Sequence, residues 1–340
     1  MSKNNLTKYK EHFERNGRVK EFTSHSGRIF SVGWNYSGTR LATCSSDKTI
    51  NVYALETSRL SRILTHKGHT DSVDQIAWHP FEGEILASVS PDGAVKIWDC
   101  RLKRCVNTFQ FKCENINLSW SPDAKYLAVG NKLDLLTFID VRCGLPPVQS
   151  EQFNFEVNEF AWAPSSSGHQ DLFFISTGLG NILVYHGKPG CMEKQTSLQA
   201  HSVSSICFEF SRDGQSFAVG SADALVSIWD TKEFVCQRTL SRLEWPVRCL
   251  SWSHDSELLA SAGEDNFIDL AHVKTGKQVT RLNNASQGNT FVLAWHPKQL
   301  LLAYSTESKY EREQSNVKLF GLASNLTTNI TNITEINGRG

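Results

Sequence analysis

The chain lacks any apolar run close to the roughly 20 residues that a membrane-spanning helix requires. Its first 17 residues, MSKNNLTKYKEHFERNG, are too polar for a secretory signal. An excess of either charge is also missing. With 35 Lys and Arg against 35 Asp and Glu, the composition argues against a protein whose main affinity comes from neutralising phosphates. No CxxC pair occurs among the nine cysteines, and Cys100 and Cys105 have no second pair or His cluster with which to complete a zinc site. An odd number of scattered thiols reads as reduced cysteine in a cytosolic or nuclear compartment. There is no GxSxG elbow, no GxxxxGKS/T phosphate loop and no HExxH pair. The sequence therefore gives no reason to expect catalysis, a metal, a cofactor or a small-molecule ligand.

What is present is 40% hydrophobic residues, enough for a large core, and a long internal repeat. An aromatic residue closes a short alternating run at Trp34, Trp78, Trp120, Trp162, Phe210, Trp252 and Trp295, in steps of 42 to 48 residues. Each run, such as SVDQIAW (Ser72 to Trp78), has the period of a half-buried strand. A polar turn follows, then a small-apolar strand such as ILASVS (Ile85 to Ser90), then a strand ending in Trp-Asp or a relative of it, as in AVKIWD (Ala94 to Asp99). A fourth, more polar strand closes the unit, as in RCVNTFQ (Arg104 to Gln110). Seven units in register imply a closed, repetitive all-β architecture.

Four short strands per unit with a Trp-Asp ending resemble the WD40 repeat, and the resemblance implies a seven-bladed WD40 β-propeller. It also implies a polar network that pins each blade: His69, Ser88, Asp92 and Trp98 in unit two; His25, Thr43 and Asp47, with Tyr53 for Trp, in unit one. Unit five has His201, Asp223 and Trp229, but Val219 at the hydroxyl position. Unit seven has only three convincing strands, and RVKEFT (Arg18 to Thr23) precedes His25 as a fourth strand should. The expected organisation is a flexible arm over 1–17, a propeller over 18–322 in which 18–23 closes the last blade, and a disordered tail over 323–340. Turn-rich loops are expected at 163–171 and 185–194, and a mobile hairpin loop at 306–316, where charged residues cluster.

By register with the family, the narrow-end residues that usually meet partners are Arg28, Phe30, Asp74, Glu114, Ile116, Glu156, Asn158, Arg248 and Phe291 among others. Acidic residues on units two to four and basic ones on units six and one imply a polarised, protein-binding face. Trp245, in SRLEWPVR (Ser241 to Arg248), fits neither the anchor nor the Trp-Asp register. It reads either as an interface hot spot or as a residue that packs locally over the channel.

At finer grain, GHTDSVDQIAWHP (Gly68 to Pro80), ENINLSWSPD (Glu114 to Asp123), EQFNFEVNEFAW (Glu151 to Trp162), SRLEWPVRCLSWSHD (Ser241 to Asp255) and FVLAWHP (Phe291 to Pro297) resemble the propeller subunits of the THO, or TREX, transcription–export assembly. The resemblance implies a nuclear, non-catalytic scaffold that docks other THO subunits, especially the large helical one. An export helicase and an adaptor would be reached through the complex, and messenger RNA indirectly. Two alternatives are a cullin-type ubiquitin-ligase receptor, suggested by the WDxR-like Trp98-Asp99-Cys100-Arg101, and a propeller that binds RNA directly.

Overall fold

A computed structural model describes residues 2–56, 59–164, 171–284, 288–307 and 315–322. Among the described residues, 28 strands form seven four-stranded antiparallel sheets. Six of them are simple meanders of consecutive strands; blade two, for example, uses Gln75–Trp78, Ile85–Val89, Ala94–Asp99 and Arg104–Gln110. The seventh combines Thr290–Trp295, Leu302–Thr306 and Ser315–Phe320 with Val19–His25 from the other end of the chain. Phe22 pairs with Val317 and Lys20 with Leu319, so the N-terminal strand closes the ring. The tail over 323–340 lies outside the described residues, as do most of the loops expected at 163–171 and 306–316, over 165–170 and 308–314.

The local sequence explains the meanders. Alternating strands are separated by tight turns that need a left-handed residue between the second and third strands, and this position is filled by Lys48, Gly93, Asp134, Gly180 and Ala224 in blades one to five. The apolar faces then meet between blades. One core cluster joins Val89, Val95 and Ile97 of blade two to Leu118, Trp120 and Leu127 of blade three. Others bridge blades three and four, and four and five, in the same way.

The repeating aromatic anchor does more than fill this core. The indole Nε1 of Trp34 donates to Ala294 O at 3.2 Å, Trp78 to Gly33 O at 2.9 Å, Trp120 to Ala77 O at 3.1 Å and Trp252 to Glu209 O at 3.0 Å. Each bond crosses to the preceding blade and lands on the residue just before that blade's own anchor. Phe210, the anchor of blade five, has no indole to donate, and the Trp295 Nε1 is buried without a partner.

A helix stands at that junction. Residues 2–16, expected from sequence to be a flexible arm, form α1 (Ser2–Asn16). Tyr9 and Phe13, four residues apart on one helical face, are buried in the cluster shared by blades six and seven. The Phe13 ring stacks on Phe320 with centroids 5.1 Å apart and lies 6.2 Å from Trp295. The Tyr9 hydroxyl donates to Asp255 Oδ2 at 2.6 Å. The polarity of the segment suggested a free arm, but two aromatic residues one turn apart suffice to dock it.

Inside the blades, His69 Nδ1 lies 2.9 Å from Asp92 Oδ2 and its Nε2 lies 2.8 Å from Ser88 Oγ, which also accepts the Trp98 indole at 2.8 Å. In blade one, His25 bonds Asp47 at 2.9 Å and Thr43 at 2.8 Å, while Tyr53 OH reaches Ser24 Oγ at 2.6 Å. Blade five, with Val219 in the hydroxyl position, is satisfied from the adjacent strand. His201 bonds Asp223 at 3.0 Å, and Ser227 Oγ sits 2.8 Å from both His201 Nε2 and Trp229 Nε1.

Two stability predictions follow from this packing. Phe13→Ala should destabilise the protein by about 3 kcal/mol, measured by urea unfolding; a negligible change would mean that α1 does not buttress the ring. Ser227→Ala leaves a buried imidazole and indole short of a partner and should cost about 2 kcal/mol. In blade two, where Ser88 fills the role, Lys96→Ala at the facing strand position should cost far less.

Candidate docking face

The segments leading into the inner strands and the turns between second and third strands share one end of the ring, the upper face. Backbone bonds fix this: Ser46 N donates to Arg28 O, Gly178 N to Glu156 O and Lys132 N to Glu114 O. The upper face corresponds to the narrow end named above. At its centre a cavity of about 450 Å3 opens into the channel and is lined by Phe30, Asp74, Ile116, Arg248 and Phe291, among other residues.

The structure groups some of the sequence candidates and separates others. Arg28 lies over Phe291, with its guanidinium 4.5 Å from the ring centroid, and 5.5 Å from Phe30. It also pairs with Glu307 at 3.1 Å. Arg248 forks onto Glu264 Oε1 through Nε at 2.9 Å and Nη2 at 2.6 Å. Glu114 pairs with Lys132. The sequence showed these charges but not the partners that neutralise Arg28, Arg248 and Glu114 within the chain; Asp74 and Glu156 have no ion pair among the described residues. Asp74 accepts from Ser72 Oγ at 2.7 Å, and burial raises its carboxyl above the usual range.

Asn158 is occupied structurally, since its Nδ2 donates to Ser204 Oγ at 3.0 Å and to Ser205 O at 2.9 Å in the next blade. Glu156 is exposed beside Gly178. Trp245 is 58% exposed and is not among the residues that line the central cavity. Asp265 fixes its loop by accepting the backbone N–H groups of Glu244 at 3.1 Å and Trp245 at 3.2 Å.

Sequence reasoning missed three features here. Blade six replaces the His network with a buried ion pair: Arg242 forks onto Asp269 at 2.6 to 3.0 Å, and Gln278 donates to the same carboxylate at 2.8 Å. The available signal was Asp269 itself, a lone charge inside the apolar strand Phe267–His272. Deeper in the channel, Glu159 accepts the Phe208 N–H at 3.2 Å and Glu209 accepts the Trp252 N–H at 3.2 Å, each from the next blade. Desolvation pushes both carboxyls up to about 7. Lastly, Arg101 forks onto Asp99 at 2.8 and 3.2 Å, and Arg142 repeats the same fork on Asp140 at 2.6 and 3.0 Å. The WDxR-like sequence is thus one copy of a recurring turn clamp.

The family model described as the THOC3 β-propeller domain matches residues 25–305, nearly the whole ring that carries this face. The chain belongs to the THOC3 β-propeller family. Within it, the chain is 40% identical to THO complex subunit 3 of Arabidopsis thaliana over 310 residues, which is 90% of this chain and 96% of that protein. It is also 28% identical to WD repeat-containing protein AAC3 of Dictyostelium discoideum over 90% of this chain and 67% of the relative. Protein transport protein sec13 of Aspergillus fumigatus is 30% identical over 70% of this chain and 90% of its own length. The THOC3 family match covers every upper-face candidate from Arg28 to Phe291.

The channel carboxylates generate a pH prediction for this THOC3-family ring. A folded-state pKa raised from 4.5 to about 7 means that the contribution favouring folding is complete below about pH 4.5 and is lost as pH rises through 7. Glu159→Gln and Glu209→Gln keep an acceptor for the neighbouring N–H but carry no charge. Each should be more stable than the parent at pH 8 by about 3 kcal/mol, and the difference should vanish near pH 4.5. Urea unfolding at both pH values checks this; a gain independent of pH would rule out titration as the cause.

Proposed function

We propose that this chain is a non-catalytic scaffold subunit of a THO complex, acting in the nuclear assembly that couples transcription to messenger-RNA processing and export. The observation that carries this reading is the THOC3 family match over residues 25–305, supported by 40% identity to a THO complex subunit 3 over 96% of that protein. The ring docks other THO subunits, the large helical scaffold among them, through its upper face. The export helicase and the adaptor are reached through the complex, and RNA is held by the assembly rather than by this ring.

Physical features support the assignment. A closed ring whose blades are cross-bonded at the centre is rigid enough to present a fixed surface. The charged groups at the channel mouth are neutralised by pairs within the chain, Arg28 with Glu307 and Arg248 with Glu264, which does not favour phosphate binding. The ubiquitin-ligase reading loses its particular residue, since Arg101 is engaged by Asp99 in a fork that blade three repeats.

The test is affinity purification of the tagged full chain from nuclear extract, followed by identification of what co-purifies. THO subunits in stoichiometric amount are expected; a cullin adaptor in their place would overturn the proposal. Trp245→Ala and Arg248→Ala should weaken that association several-fold while moving the melting temperature by no more than about 2 °C. A large loss of stability would assign both residues to the fold instead.

A further inference from the structure

The turn between the second and third strands has a register position that holds Asp in four blades: Asp47, Asp92, Asp223 and Asp265. In blades one, two and five this carboxylate bonds the blade's His, and in blade six it accepts two backbone N–H groups. Blades three and four have no such His. There the same position carries Leu133 and Leu179, which are 64% and 59% exposed. Losing the His would free the position for any small polar residue, and a surface turn normally takes one. Two exposed leucines in place of aspartate are the opposite of what solubility favours.

The apolar positions continue around the ring. The Leu133–Asp134 turn packs on the segment leading into blade four, with Phe153 N bonded to Asp134 O and Val157 N to Asp134 Oδ1. The Leu179–Gly180 turn packs on the segment leading into blade five, since a Cβ on Gly180 would lie 2.5 Å from Val203 O. Val203 is 42% exposed, and Trp245 occupies the corresponding segment before blade six. Leu133, Leu179, Val203 and Trp245 thus follow one another over blades three to six.

The other described blades provide an internal comparison. The turns of blades one and two and the segments leading into blades two and three show Asp47, Lys48, Thr70, Asp71, Asp92, Gly93 and Lys112, with no exposed large apolar side chain. Among the described residues, the exposed large apolar side chains of the upper face lie on one side of it.

Two carboxylates accompany the arc. Glu156 lies between the Leu133 and Leu179 turns, and Glu244 adjoins Trp245. Both are exposed, and neither has an ion-pair partner among the described residues. Trp245 also walls a recess of about 340 Å3 whose other sides include Glu244, Glu264 and Asp265. Arg28, Arg248 and Glu114 are paired within the chain, so of the acids beside the arc Glu156 and Glu244 are the ones left exposed without an ion pair among the described residues.

We propose that this arc is a docking track for an extended segment of a partner protein in which apolar residues alternate with Lys or Arg. The chemistry follows from the order apolar, acidic, apolar, apolar, acidic, apolar around the track. Extension follows from the shape, because a straight helix cannot stay in contact with four blades of a seven-bladed ring. The proposal rests on the reading of the upper face as the side that meets THO subunits, and it assigns which half of that face does so and to what kind of segment.

The test is site-specific photocrosslinking in a THO complex assembled from its full-length subunits. The probe, p-benzoylphenylalanine, replaces Leu133, Leu179, Val203 or Trp245 in turn, and Lys48 or Asp71 as positions on the polar half. The four track positions are expected to link to one continuous stretch of one subunit, rich in apolar residues and Lys or Arg, and the two polar positions to miss it. Links from Lys48 and Asp71 alone would overturn the track while leaving the upper face as the docking side. With the probe also placed at Phe81, outside the upper face, links from that position alone would overturn both. Links from the track to a second copy of the chain, to RNA or to scattered segments would also overturn the proposal.

A paired variant gives the affinity. Leu133→Asp with Leu179→Asp installs the residue that four other blades already carry, so folding is left intact, and association should fall at least tenfold. Glu156→Lys with Glu244→Lys should weaken association further and remove most of its salt dependence. Unchanged affinity in the double aspartate variant would overturn the proposal.

Discussion

Every sheet in this ring depends on its neighbours, and at four junctions the bond that enforces the dependence is the indole N–H of one inner strand donating to the backbone carbonyl of the preceding one. A four-stranded meander of this size cannot bury either face alone; blade two packs one face on blade one and the other on blade three, so the core exists only between blades. The indole bonds fix the angle at which two sheets meet, and the channel-facing side chains of Glu159 and Glu209 add a second set of crossings to the next blade. At Trp295, whose indole is buried without a partner, the structure places α1, with Phe13 and Tyr9 packed over the junction of blades six and seven. The helix and the missing bond occur at one place, which makes α1 part of the ring's closure.

The fold was legible because period survives substitution. Seven aromatic anchors at nearly constant spacing identify the blades even where the His or the Trp of the network has been lost, and a missing fourth strand at one end matched an orphan strand at the other. What stayed hidden depended on partners that sequence does not display. Ser227 looked like an ordinary strand residue until it was seen standing between His201 and Trp229. Arg242 and Asp269 are 27 positions apart and meet only after two strands are in place. The polar segment 2–16 carried too few apolar residues to suggest docking, although two of them fall on one helical face.

Register placed Phe30, Asp74, Ile116, Arg248 and Phe291 around one opening, and there they line a shared cavity, with Arg28 stacked over Phe291 beside it. Their charges were visible in the sequence; their neutralisation by Glu307 and Glu264 was not, since those acids lie in other turns of the same end. The more informative residues were Leu133 and Leu179, whose meaning emerges only when the six described turns are compared and two of them carry leucine where aspartate is the rule.

Closure through Val19–His25 also constrains how the chain is made. Glu21 and Asn316, which bond across the last sheet, lie 295 positions apart in sequence. At about 5 to 20 residues per second, the first strand leaves the ribosome roughly 15 to 60 s before its partner exists. During that interval the growing protein is an open row of blades with an unpaired strand at its edge and the apolar faces of its newest sheet uncovered. Such a nascent chain needs shielding until synthesis ends, so a cell that makes this subunit must supply chaperone capacity for it.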